Sequence, residues 1–307
     1  AYCVTPLQAI RAKVAGKATV THVTGEDADQ ALKLARESDV VIVIAGNHPT
    51  CDAGWAKTVS ASMGKEAVDR QSLDLDEQPL IRRVCQANRR TIVVLISSFP
   101  YAIDWIQQNV SAIVHMTHCS QETGSALADV LFGDYNPAGR LVQTWPKAID
   151  DLPDLFDYDL RRGRTYMYFT GQPLYPFGHG LSYTTFDYSN LQTSGERIGP
   201  PDQIVVSAQV TNTGDRSGEE VVQLYVRYLD SKLDRPLRQL VGFSRLAIER
   251  GQTVTARIPL RASQLAYWDS KAAAWRMEPG RIELMLGASC ADIRLRRIIQ
   301  MCQPTAV

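Results

Sequence analysis

The chain has 307 residues, 45% of them hydrophobic and 21% charged, enough for two domains with sizeable cores. Its 33 basic and 33 acidic residues cancel, so no long-range field draws it toward nucleic acid or an anionic membrane, and no apolar run approaches the length of a membrane span. The sequence opens on Ala-Tyr-Cys without an initiator Met and no signal peptide is recognisable, so it reads as an internal piece of a longer protein.

In chain order, residues 18–23 are strand-like, and Ala28, Ala31, Leu32 and Ala35 then recur at helical spacing. The run Val40-Val41-Ile42-Val43-Ile44-Ala45 is short, β-branched and uninterrupted, as in a parallel strand buried on both faces. Leu80, Ile81, Val84 and Cys85 mark a second helix, followed by a strand over 91–96. A short helix over 101–108 precedes the strand 112–116. Ser120 is an expected N-cap with Glu122 in the first turn of a helix that Gly133 stops. This alternation predicts an α/β domain over residues 1–190, with a mostly parallel sheet covered by helices on both faces and Val41, Val43, Val93, Leu95, Ile113 and Val114 in its core.

Residues 136–181 break the rhythm with five prolines and five glycines while still supplying aromatic residues, Tyr158, Tyr166, Tyr168, Phe169, Tyr175 and Phe177 among them, the composition of an ordered wrapping segment. Residues 192–203 (QTSGERIGPPDQ) read as an interdomain linker. Beyond it the hydrophobic period becomes two, over 204–210, 221–226, 237–248, 253–260, 274–277 and 281–287, with a further strand between Cys290 and Cys302. About seven short strands over 191–307 predict an antiparallel β-sandwich. The six cysteines are scattered without CxxC spacing. Cys85 and Cys119 fall inside elements as small hydrophobes, and Cys290 and Cys302 would pair only if the chain doubled back.

Candidate chemistry concentrates in the loop 46–75, because ligand-touching residues of open α/β sheets leave the carboxyl ends of the strands and long aperiodic loops usually carry function. Lys65, Glu66, Asp69 and Arg70 crowd four ionisable groups into six residues, from which a tuned carboxylic acid can be made, and Glu66 is the first candidate. Asp69 and Arg70 read foremost as a local ion pair that shapes the loop. Trp55, among Gly, Ala and Lys, is a ring on which a sugar face could stack. His48 and Cys51 lack a second His/Cys pair at ligand spacing, so no metal or cofactor is expected. His115 and His118, at the exit of the 112–116 strand, read as hydrogen-bonded structural histidines, with a binding edge as the alternative.

The stretches TPL (5–7), SDVVIVIAG (38–46), GKEAVDRQSLDL (64–75), QETGSALADVLFGDYNPAGRLVQTWP (121–146), GRTYMYFTGQPLYPFGHGLSYTTFDYSNL (163–191), VTNTGDRSGEEVVQLYVR (210–227) and RPLRQLVGF (235–243) resemble the C-terminal portion of family 3 glycoside hydrolases of the β-glucosidase/β-xylosidase type. The resemblance implies a three-part enzyme: a TIM-like barrel with the nucleophilic Asp, an α/β sandwich domain, and a fibronectin type III-like domain. This chain matches the last two, without the first strand that members carry before TPL. It implies Glu66 as the general acid/base, in a pattern like E-x-x-D-R in which Ala67 stands where many members have Gly. Trp55, Asp69 and Arg70 become expected substrate-binding residues. The implied partners are a β-linked oligosaccharide or glycoside and the missing barrel, on the same or a separate chain, and the implied location is periplasmic or secreted. The function implied is the C-terminal half of a retaining exo-β-glycosidase releasing terminal β-D-glucose or β-D-xylose, inactive alone for want of a nucleophile. The alternative is a non-catalytic carbohydrate-associated or assembly module.

Overall fold

The computed structural model describes residues 2–47, 72–118 and 121–302, and by packing it divides into two compact units. The first unit comprises residues 1–135, 145–151 and 172–174, and the second comprises 136–144, 152–171 and 175–307. The proline-rich segment after residue 135 therefore alternates between the units, most of it packing with the second.

The first unit is built on a parallel sheet of β1 (Val41–Gly46), β2 (Thr91–Ile96) and β3 (Ala112–Met116), in that order. Helices α1 (Pro6–Lys13), α2 (Ala28–Glu37), α3 (Gln78–Ala87), α4 (Asp104–Asn109) and α5 (Thr123–Phe132) complete it. The middle strand is the doubly covered one: Val93, Val94 and Leu95 have no exposed surface. Leu32, Ala35 and Val84 of α2 and α3 pack with Val41 and Val43, joining a helical stripe of period 3.6 to one face of β1. Asn88, just past α3, donates to the carbonyls of Ala35 and Ser38 at 3.0 and 2.7 Å and fastens the two helix ends together.

Local signals set the helix termini. Thr5 and Gln8 form a capping box on α1 with Pro6 in its first turn, Asp27 accepts from the Gln30 amide at 2.9 Å, and Gly133 ends α5 at φ 80°, where a side chain is disfavoured. Gly124 lets α5 meet the chain entering α1. A Cβ there would lie 2.3 Å from the Thr5 carbonyl oxygen, and the Gly124 amide instead donates to Val4 at 2.9 Å.

Four expectations are corrected in this architecture. Residues 18–23 form no ladder strand; they are irregular and largely exposed, because strand-like composition does not supply a pairing partner. β1 lies at an edge of the described sheet, with Val40 50% and Ile44 42% exposed, so its apolar run is not buried on both faces. Val41, Val43, Ile113 and Val114 are correspondingly half-buried, whereas Val93 and Leu95 are fully buried. Glu122 occupies the N-cap position of α5 without a capping bond from its side chain, which accepts instead from Tyr2 at 2.5 Å and Ser125 at 2.6 Å; Ser120 lies outside the described residues. Residues 192–203 are not a linker: β4 (Phe186–Thr193) pairs with β6 (Gln203–Asn212), and between them β5 (Arg197–Ile198) pairs with the last strand.

The second unit is the expected β-sandwich. Its larger sheet runs β5, β13 (Ile293–Met301), β12 (Gly280–Gly287), β7 (Gly218–Tyr228), β8 (Gln239–Ile248); the smaller runs β4, β6, β9 (Thr253–Arg261). A separate hairpin joins β10 (Tyr267–Asp269) to β11 (Ala274–Arg276). Alternate residues of β6 and β9 point inward, so Val206, Ala208, Val210, Ala256, Ile258 and Leu260 meet Val222, Leu224, Val226, Ile282 and Leu284 in one core. Each large aliphatic side chain buried there contributes about 1.5–3 kcal/mol before entropy is counted. Arg140 and Glu220, both nearly buried, pair at 2.8 Å, and Tyr166 stacks on Phe177 with centroids 4.3 Å apart, so the aromatic wrapping segment does supply burial. Cys290 and Cys302 lie at opposite ends of β13, and both are free thiols, as are Cys3 and the buried Cys85.

Candidate active-site edge of the parallel sheet

The chain leaves β1 at its carboxyl end toward the candidate segment, and the backbone there admits only glycine. Gly46 sits at φ 135°, and a Cβ would lie 1.9 Å from the Ile96 carbonyl oxygen, so the loop can start beside β2 only if this position has no side chain. The ladder continues one step further, with the Asn47 amide donating to that same carbonyl at 3.1 Å and the Ser97 amide donating to Met116 at 3.0 Å.

Two histidines organise this edge. His118 joins the segments that follow all three strands: Nε2 lies 2.5 Å from the Asn47 carbonyl oxygen and Nδ1 lies 2.7 Å from the Ser98 hydroxyl. A carbonyl only accepts, so Nε2 carries the hydrogen and, in a neutral ring, Nδ1 accepts from Ser98. His115 stands one layer deeper, with Nε2 3.3 Å from the Ser97 hydroxyl and its ring edge-on to the buried Trp145 at 5.1 Å. Burial pushes the His115 pKa below the ordinary histidine value, opposed by a hydrogen bond with the Ser97 backbone. Both rings are hydrogen-bonded members of the fold, which matches the structural reading of each.

The far end of the loop is also anchored. The Leu73 carbonyl accepts from Ala102 at 2.8 Å, and Leu75 is buried before the chain enters α3. Beside this return lies a shallow cleft of about 360 Å³, lined by Leu73, Asp74, Gln78, Arg82, Trp105 and Lys147 among others. The Arg82 guanidinium lies 4.6 Å above the Trp105 ring, a cation–π contact that turns a charged and an aromatic side chain toward one opening. The sequence reading did not single out this pair, because its members sit on different helices and no spacing along the chain relates them.

Glu66, Trp55, Asp69 and Arg70, and with them His48 and Cys51, lie outside the described residues. The structure thus gives the two roots of their loop, at Asn47 and Ser72. Among the described residues no group of three His, Cys, Asp or Glu side chains could hold a metal ion, and no helix is long and apolar enough to cross a membrane.

Comparison with known proteins supplies the lineage. The profile of the glycosyl hydrolase family 3 C-terminal domain matches residues 1–183, and that of the fibronectin type III-like domain matches 220–290. A β-glucosidase of Rhizobium radiobacter is 36% identical over 283 residues, covering 86% of this chain and 33% of the relative. A xylan 1,4-β-xylosidase of Xylanibacter ruminicola is 38% identical over 237 residues, 76% of this chain and 27% of that protein. Among solved structures, the β-D-glucoside glucohydrolase of Trichoderma reesei superposes with a TM-score of 0.87 at 31% identity, over 98% of this chain and 45% of that one. The chain therefore spans about a third of the curated relatives it matches and under half of the solved structure. It belongs to glycoside hydrolase family 3, of which it carries the C-terminal domain followed by a fibronectin type III-like domain.

Proposed function

We propose that this chain supplies the proton-transferring carboxyl of a retaining exo-β-glycosidase, and that Glu66 is that carboxyl. The reading is carried by one observation: the 24 residues between the two anchored roots hold the GKEAVDR run and follow the carboxyl end of a parallel strand, in a chain of this family. Retaining cleavage uses two carboxyl groups ~5–5.5 Å apart. One attacks the anomeric carbon while the other protonates the departing glycosidic oxygen, then takes a proton from the water that releases the sugar. Glu66 performs the second role, and the attacking Asp comes from a barrel domain on the same or a partner chain. Trp55 stacks on the sugar, and Asp69 and Arg70 shape the loop around it. The substrates are β-linked oligosaccharides or glycosides ending in glucose or xylose, as the names of the relatives indicate for those proteins. Neither metal nor organic cofactor takes part. The name of the Salmonella typhimurium relative, a periplasmic β-glucosidase, supports an extracytoplasmic location.

A general acid matters most when the leaving group is poor, and such assistance is worth ~10²–10⁴-fold. In the enzyme completed with its barrel, Glu66→Ala is expected to slow cellobiose or xylobiose cleavage by that factor while slowing a dinitrophenyl glycoside far less in the first, glycosylation step. Equal losses on both substrates would remove Glu66 from this role and favour a non-catalytic module.

A further inference from the structure

The β10–β11 hairpin of the second unit turns two tryptophans to solvent. Trp268 and Trp275 are paired across the two strands, so they share one face, and they are 51% and 69% exposed. Their centroids are 5.7 Å apart and their planes meet at 71°, which makes a corner with one indole as floor and the other as wall. The hairpin that holds them is braced. On its opposite face Tyr267 lies under the Arg235 guanidinium at 4.9 Å, which also covers Tyr228 of β7 at 4.2 Å. The Asp269 carboxylate accepts from the Lys271 and Ala272 amides in the turn and pairs with Arg276 at 3.2 Å. A rigid support for two exposed indoles is what an aromatic binding platform requires, since little side-chain entropy is then lost on binding.

Next to Trp275 opens a cleft of about 780 Å³ whose rim includes Gln203, Arg261, Ser263 and Arg276. Its charges sum to zero: Arg276 is paired with Asp269, and Arg261, which donates to the neutral Gln203 at 3.3 Å, lines the cleft together with Asp202. An aromatic floor with a ring of amide, hydroxyl and guanidinium groups and no excess charge suits a neutral ligand that has one apolar C–H face and a polar edge. A pyranose whose hydroxyls are all equatorial has that shape, with its axial hydrogens stacking on the indole and its hydroxyls reaching the rim.

We propose that the Trp268–Trp275 corner and its adjoining cleft form a binding site for β-linked gluco- or xylo-oligosaccharides, holding glycan without cleaving it. The site does not use Glu66 and goes beyond the catalytic role argued above. It is tested by native electrophoresis of the 307-residue chain through gels containing mixed-linkage β-glucan or linear xylan, with α-linked dextran as reference. Wild-type protein should be retarded at least twofold by a β-linked glycan relative to dextran. The Trp268→Ala/Trp275→Ala variant should run as in dextran, while Trp275→Phe keeps part of the retardation. An unchanged circular dichroism spectrum and thermal midpoint show that the double variant is folded. Four outcomes overturn the proposal: no retardation of the wild type, equal retardation by dextran, retardation that survives loss of both tryptophans, or a chain dimer in sedimentation that the double variant alone dissociates.

Discussion

At the scale of single residues, the two histidines at the sheet edge differ in what they report. His118 ties together the segments after β1, β2 and β3, whereas His115 is a half-buried ring whose proton affinity is lowered by desolvation. Above the ordinary histidine pKa of 6.5 both folded and unfolded states hold His115 neutral, so it contributes no pH dependence there. As pH falls through 6.5 the unfolded chain takes up a proton that the folded chain does not, and stability drops until the lower folded value is passed. The thermal midpoint should therefore fall below pH 6.5, and His115→Gln, which keeps a hydrogen-bonding side chain, should flatten that slope. His179, also lowered by burial, leaves a residual slope. An identical pH profile for the variant would mean that His115 is solvated in the folded protein.

The residue scale also shows what the sequence makes visible. The GKEAVDR run marks Glu66 by clustering ionisable groups after a strand, a property local to the sequence. The Arg82–Trp105 pair and the Trp268–Trp275 corner carry no such mark. Each becomes a pair only when a helix or a hairpin brings distant positions together, so periodicity assigned Trp275 to a strand without saying that its indole faces solvent. The strand reading of 18–23 failed for a related reason, since pairing is a property of two segments and composition belongs to one.

At the scale of elements, locally encoded features contribute modestly and the packed core contributes most. The Thr5–Gln8 capping box opens α1, a helix that periodicity did not reveal although its Thr-Pro start and Gln8 three residues on were readable. Thr5→Ala should cost about 1 kcal/mol, the usual worth of an N-cap. Ile258→Ala, in the fully buried centre of the sandwich, should cost about 2–5 kcal/mol through lost burial and the cavity left behind. Urea unfolding of each variant measures both, and a Thr5 effect as large as that of Ile258 would contradict this ordering. The segment 192–203 shows the limit of composition at this scale. Its Ser, Gly and Pro content marked a linker, yet β4 and β5 lie across it because pairing with β6 and β13 outweighs weak intrinsic strand propensity.

At the scale of the whole molecule, the order of the two units was readable because the hydrophobic period changes once along the chain, from helix–strand alternation to a strict period of two. Which strand is central was not, because an apolar run such as 40–45 reports what is apolar and leaves open what covers it. Val40, just before β1, and Ile44, within it, are half exposed. The chain alone should not hydrolyse aryl β-glucosides or β-xylosides, since acid assistance without a nucleophile falls far short of the acceleration that glycoside cleavage requires. Addition of the barrel portion should restore turnover, and robust hydrolysis by residues 1–307 alone would reveal a second catalytic carboxylate within them.

The most direct measurement is azide rescue of Glu66→Ala in the completed enzyme, with an activated aryl glycoside and identification of the product. With the acid/base gone, the glycosyl-enzyme still forms, and azide attacks its anomeric carbon as the ester bond to the nucleophilic carboxylate breaks. Turnover should recover with azide and yield the β-glycosyl azide. Failure of azide to restore turnover, or formation of the α-glycosyl azide that marks loss of the nucleophile, would contradict the assignment of Glu66.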